Sequence, residues 1–349
     1  MTRVLVRSVR NLVAGAQAVE EGDLDTIVAK TSTDEIGSLT DSFNHMIGEL
    51  RLKERIKDTF GKYMDPRIVT RLLDRPEVAE PGGARRNMTV MFIDLKGFTS
   101  ISEKLSPHDL VKMINRFFDH MTEAIAENGG VVDKFMGDAV MAFWGPPFTS
   151  PQEHGTLACR AALAAVARLD DFRAEVVAEL GADARDLEID LRIGVSTGAM
   201  IVGTVGSHVS KSFTVVGDPV NLGSRLEGAN KAYGTHILVA DETRAMTEDS
   251  SLQFREIDLL RVKGKNEPIR VFELVAAGST LGEEECREFE RGLAAYRAGD
   301  WEIGETAFGV VCAAVPDDLP SRTYIERIAH FRNTPPPNNW DGVWILDAK

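Results

Sequence analysis

An α+β fold, flanked by a helical N-terminal domain and a small helical C-terminal tail, is predicted by three features of the 349-residue sequence. Between residues 86 and 276, short apolar β-branched runs alternate with segments at helical spacing, the pattern of a sheet with helices on one face. Near the N-terminus, Leu5, Val9, Leu12, Ala16 and Val19 form one heptad-like stripe, and Ile36, Leu39, Phe43, Met46 and Leu50 form a second. Two lone helices cannot bury such stripes. After residue 281 the chain reads as helices, ended by Thr334-Pro335-Pro336-Pro337.

The elements follow in order. Gly22-Asp23-Leu24 breaks the first stripe, a connector holds Ile27 and Val28, and Asp34-Glu35-Ile36-Gly37 opens the second helix. A parallel dimer forming a four-helix bundle would cover both stripes. Residues 52–73 continue as helix, with Asp65-Pro66 able to start another, and Pro76 to Gly83 mark a loop. Thr89 to Ile93 is a buried strand ending at Asp94, and a helix starts near Lys96-Gly97-Phe98-Thr99. From Ser106-Pro107 a helix buries Leu110, Ile114, Phe117, Phe118 and Met121. A hairpin follows, Val131 to Phe135 and Ala139 to Phe143, around a Met136-Gly137-Asp138 turn. Gln152 to Leu180 is an alanine-rich helix. Leu187 to Val195 alternates as a strand, and Met200 to Gly203 continues that region. Val215-Val216 is strand, Gly217-Asp218-Pro219 turn and Val220 to Asn230 helix. Ile269 to Leu274 is a last strand. In the tail, Glu283 to Ala307 and Ser321 to Phe331 are helices; GLAAYRAGDWEIGETAF resembles one tetratricopeptide-like pair, too little for an array of its own. The tail therefore packs on the preceding domain or on a partner, with Trp340 and Trp344 as anchors or, alternatively, as residues that recognise a partner.

A net charge of −14 argues against nucleic-acid binding by a basic surface. Cys159, Cys286 and Cys312 stand far apart, which argues against a disulfide framework or a zinc site and fits a reducing compartment. No run of 18 apolar residues is present, and the N-terminus lacks a signal-peptide cleavage pattern.

Asp94 and Asp138 each sit where an apolar run meets a glycine-containing turn. Alone, Asp94 reads as a helix N-cap and Asp138 as a turn acid. As a pair at strand ends they can hold divalent cations. The glycine turn at Gly97, Phe98 and Thr99 offers backbone N–H groups to a phosphate. Asn221 and Arg225, four apart, share a helix face.

FIDLKGFTS, DKFMGDAVMAFWG, FTVVGDPVNLGSRLEGANKAYG and VKGKNEPIRVFEL, in that order, resemble the catalytic domain of class III nucleotidyl cyclases. The resemblance implies a ferredoxin-like βαββαβ core over residues 86–276. It implies a lyase that forms cyclic nucleotide and pyrophosphate. It implies two Mg2+ or Mn2+ ions held by Asp94, Asp138 and the Leu95 carbonyl. It further implies Asn221 on the ribose, Arg225 on the transferring phosphoryl group and Lys263 on the phosphates. Lys134 and Thr214 fall where the family reads its base. The lysine–threonine pair is the adenine type: a lysine donates to adenine N1, and a hydroxyl accepts from N6. The implied substrate is ATP and the implied activity adenylate cyclase, with guanylyl cyclase or a non-catalytic nucleotide-binding module as alternatives. The family arrangement also implies a homodimer with sites shared between protomers.

EEGDLDTIV followed by TSTDEIGSLTDSFNHMIGEL resembles a HAMP signal-relay domain, with a plain dimerising coiled coil as the alternative. The expected domains are HAMP over 1–55, a helical linker over 56–85, the cyclase domain over 86–276 and the tail over 281–349. A HAMP domain implies signal transduction, a cytoplasmic location and a parent attached to the inner membrane through a segment N-terminal to this chain.

Overall fold

The computed structural model describes residues 2–61, 64–74, 82–184, 187–207, 209–261, 268–276, 279, 281–337 and 340–343. Of the expected loop at 76–83, residues 76–81 lie outside them, as does Trp344, while Gly82 and Gly83 are strand, paired with Thr204 and Gly203. The chain divides into two units, residues 1–80 and 81–349.

The first unit holds α1 (Thr2–Glu20), α2 (Glu35–Phe60) and α3 (Pro66–Asp74). Asp34 caps α2 by accepting from the Ile36 and Gly37 backbone N–H groups. Asn44 clamps the connector, accepting from Val28 N at 2.9 Å and donating to Val28 O at 2.8 Å. Ile47 and Val28 are buried, whereas Leu5, Val9, Leu39, Met46 and Leu50 stay exposed in the single chain. Among the described residues no helix is long and apolar enough to cross a membrane.

The second unit is built on β1 (Gly82–Lys96), β2 (Val131–Met136), β3 (Ala139–Trp144), β4 (Asp190–Gly206), β5 (Lys211–Val216), β6 (Ile237–Ala240), β7 (Phe254–Leu260) and β8 (Ile269–Leu274). Seven strands run in the order β2-β3-β1-β4-β6-β8-β7, and β5 pairs with β4. The first four, with β1 antiparallel to both β3 and β4, form the βαββαβ ferredoxin-like sheet. The connections are α4 (Phe98–Lys104), α5 (Pro107–Glu127), α6 (His154–Ala167) and α7 (Leu169–Leu180). α8 (Asp218–Tyr233) and the short α9 (Asp241–Ala245) follow the β5 and β6 strands.

Helices cover both faces of the sheet, which corrects the one-face expectation. Met91, Ile93 and Leu95 point into a core with Phe117, Met121, Trp144 and Phe172. The alternate residues Val90 and Phe92 meet α8 instead, 3.3 and 3.2 Å from where a Gly223 Cβ would stand. A Cβ on Gly194 would lie 2.1 Å from Gly223 O, so glycine there is what lets α8 rest on β4. Asn230 Nδ2 pins the helix by donating to Ile193 O at 2.9 Å.

Two further expectations change. The single helix over 152–180 is two, joined at Arg168. The two strand pieces over 187–203 are one long strand, β4.

The tail is three helices, α10 (Glu283–Ala298), α11 (Trp301–Ala314) and α12 (Leu319–Asn333). Gly299, at φ +81°, ends α10 where the expected helix ran on to 307. Phe289, Tyr296, Phe308, Tyr324 and Ile328 share one core with Leu222, Leu226 and Tyr233 of α8 and with β6–β8, and Trp340 packs against it. Arg255 bridges Glu273 and Asp318, and Arg327 binds Asp258 at 2.7 Å.

Candidate active site

Asp94 stands opposite Arg192 in the β1–β4 register. Arg192 Nη2 donates to Asp94 Oδ2 at 2.8 Å. Its Nε lies 3.0 Å from Glu227 Oε1, an ion pair without hydrogen-bond alignment. All three side chains are four-fifths buried or more. Glu227 reaches this point because α8 sits so close to β4 at Gly194.

Asp138 completes the group from the β2–β3 turn, which Gly137 makes at φ +66°. Burial, then the Asp94 carboxylate, pushes Asp138 up to about 6. Burial, then Asp94, pushes Glu227 up to about 7, with Arg192 opposing. Carboxylates this crowded disfavour one another's charge, and a divalent cation relieves that. Among the described residues no three His, Cys, Asp or Glu side chains form a closed metal cage. Two carboxylates at an open site suit Mg2+, which is commonly held by one or two acids together with substrate phosphates. The residues thus fit the metal expectation. Leu95, beside Asp94, keeps its side chain in the core.

Gly97 adopts φ +75° and starts α4, with Phe98 half-buried and Thr99 exposed in its first turn. The bend turns the chain sharply after Asp94.

A second group forms around Asp133. Thr214 Oγ1 donates to Asp133 Oδ2 at 2.9 Å, and Lys134 Nζ lies 3.2 Å from the same oxygen. β5, paired to the distal half of β4, brings Thr214 back to β2. The two base-reading candidates, far apart in sequence, therefore meet at one carboxylate.

Asn221 and Arg225 lie on the exposed side of α8, while Leu222 and Leu226 face the core and Glu227 turns toward the sheet. Lys263 lies outside the described residues.

Arg192, Glu227 and Asp133 were not expected from sequence. Each is a charge among inward-facing apolar neighbours: Arg192 between Leu191 and Ile193, Glu227 after Leu226, Asp133 after Val132. That pattern was the available signal.

Comparison with known proteins agrees with the fold. The adenylate and guanylate cyclase catalytic domain matches residues 83–275, and the HAMP domain matches residues 1–52. The chain belongs to the class III adenylate and guanylate cyclase family, with a HAMP domain preceding the catalytic domain. Adenylate cyclase 1 of Rhizobium meliloti (strain 1021) is 32% identical over 276 residues, covering 79% of this chain and 39% of that protein. The adenylate cyclase of Anabaena cylindrica is 33% identical over 277 residues, covering 77% and 54%. The chain thus spans about two-fifths to a half of these relatives' length. The crystal structure of the guanylyl cyclase Cya2 is 30% identical with a TM-score of 0.50, covering 57% of this chain and 96% of that one.

Proposed function

We propose that this chain is an adenylyl cyclase, converting ATP to 3′,5′-cyclic AMP and pyrophosphate at sites shared between two protomers and controlled through the HAMP domain. The observation that carries the choice of ATP is the meeting of Lys134 and Thr214 at Asp133. There the ammonium donates to adenine N1, and the hydroxyl accepts from the N6 amino group.

Asp94 and Asp138, with the Leu95 carbonyl, would hold two divalent ions, Mg2+ or Mn2+. When bound, such ions supply Lewis-acid activation of the ribose 3′-hydroxyl and neutralise the triphosphate. Arg192, which donates to Asp94, would offer a guanidinium to a phosphate oxygen. The N–H groups from Gly97 to Thr99 cradle phosphate oxygens; Lys263 is assigned there by resemblance. Asn221 orients the ribose, and Arg225 stabilises charge at the α-phosphorus during in-line displacement. No side chain is assigned as general base.

The domain limits are proposed as 1–55, 56–85, 86–276 and 281–349, and the parent protein as membrane-attached through a segment N-terminal to this chain. The exposed stripes of the first unit would be covered in a parallel dimer.

Guanylyl cyclase activity is the second reading, favoured by the likeness to Cya2. A turnover assay with Mn2+ or Mg2+, offering ATP and GTP separately, decides. Cyclic AMP from ATP alone supports the proposal; cyclic GMP overturns the base assignment. No product from either, in a dimeric sample, points to an inhibited state or a binding module.

A further inference from the structure

Asp133 occupies an unusual place for a carboxylate. Val132 pairs with Ala142 and Lys134 with Met141, so Asp133 is the extra residue of a bulge in β2. A bulge re-aims a side chain, and this one leaves the Asp133 side chain 1% exposed while that of its neighbour Lys134 stays 43% exposed. Its Oδ2 receives the Thr214 hydroxyl and the Lys134 ammonium, and its Oδ1 is buried without a hydrogen-bond partner. Burial pushes the Asp133 carboxyl up, with Lys134 and then Thr214 opposing.

We propose that Asp133 sets base selectivity by fixing the polarity of the Thr214 hydroxyl. A threonine hydroxyl has one proton to give and two lone pairs, and an ionised carboxylate only accepts. With its proton committed to Asp133, Thr214 presents only lone pairs to a base. It then accepts from a purine with an amino group at position 6 and repels one with a carbonyl there. A threonine free to rotate would serve both. Lys134, tied to the same oxygen, is held alongside for N1. Asp133 acts through these two side chains and is a positioning residue. The inference rests on the assignment of Lys134 and Thr214 to the base and goes beyond it.

The test uses the full chain with Mn2+ and two ATP analogues of similar size. N6-methyl-ATP keeps one N–H donor at position 6. The triphosphate of 6-methoxypurine riboside offers an oxygen acceptor there and keeps the N1 acceptor for Lys134. Wild type is expected to favour N6-methyl-ATP in kcat/KM by about 10-fold or more, the scale of one mispaired buried polar group. Asp133→Asn can donate its amide to Thr214 and free the hydroxyl proton, so the gap should shrink to about 3-fold or less. Thr214→Val should also remove the gap, and adding Asp133→Asn to it should change nothing further. A gap lost in Thr214→Val but kept in Asp133→Asn overturns the role of Asp133 and leaves the base assignment standing. A gap kept in Thr214→Val overturns both. If Asp133→Asn does not fold, Asp133→Ala takes its place: a gap shrunk to about 3-fold or less supports the proposal, and a gap kept at about 10-fold overturns it.

Discussion

Arg192 and Asp94 face each other across the β1–β4 ladder and join through Nη2 and Oδ2 at 2.8 Å. The same guanidinium lies against Glu227, so one cation serves a crowded group of acids. Replacing it removes the charge that offsets Asp94 and the donor proposed above for a phosphate oxygen. Arg192→Met is expected to lower kcat by about 100-fold, the scale for a lost charge-stabilising donor. Glu227→Gln keeps the shape and relieves one negative charge, so its loss should stay below about 10-fold. Steady-state kinetics on variants with wild-type circular dichroism check both; an active Arg192→Met would remove Arg192 from the mechanism.

Asp138 and Glu227 bear on pH and metal together. Their folded values, about 6 and about 7, lie above the ordinary 3.8 and 4.5. A carboxyl raised on folding binds more proton in the folded state. Its stabilising contribution is full below the ordinary value and is lost as pH rises through the folded one. Metal-free protein should therefore lose stability from about pH 4 to about pH 7 by this contribution. Saturating Mn2+ favours the charged forms, so it should release protons near pH 6 and raise Tm more at about pH 7.5 than at about pH 5. Asp138→Asn should lose most of the proton release. Proton release measured in weak buffer, with Tm by calorimetry, checks this; equal release from the variant would show the metal elsewhere.

Asp94 and Asp138 could be picked out as candidates because an acid where an apolar run meets a glycine-containing turn is a local pattern. β4 was not, because Ser196-Thr197-Gly198 reads as a break between two apolar pieces. In the fold Thr197 is buried, bonded to the hydroxyls of Thr89 and Thr243, partners far off in sequence. Arg192 stayed hidden for the same reason: its importance depends on which residue of β1 lies opposite. Asp133 was concealed by a bulge, which shifts the period-2 pattern used to read faces. The tail's helices were legible as helices, but its docking depends on charges such as Arg255 and Asp318 that meet across more than 60 residues.

The tail shares its core with α8, the helix that carries Asn221 and Arg225. Asp258 is fully buried and receives both Arg327 and the Tyr233 hydroxyl of α8. Arg327→Met leaves that carboxylate without its cation and should cost about 3–5 kcal/mol. A chain ending near residue 280 should expose the apolar faces of β7, β8 and α8 and aggregate or melt early. Denaturant unfolding checks the variant. A truncated chain as stable as the full one would make the tail an accessory instead of a wall of the catalytic domain.

α8 bears on how many chains a site needs. Glu227 turns inward to Arg192 of its own chain, while Asn221 and Arg225 lie on the exposed side. Turning Arg225 toward Asp94 of the same chain would require rotating a helix that Gly194, Gly223 and Asn230 hold against β4. A second protomer meets the need without that rotation. Asp94→Ala and Arg225→Ala should each be inactive alone. Co-expressed in equal amounts, half the dimers are mixed and each mixed dimer keeps one intact site of two, so activity should return to about a quarter of wild type. The cyclic-nucleotide yield of the purified mixture is the measurement. A mixture as inactive as its parts would mean that each chain assembles its own site and that α8 moves to do so.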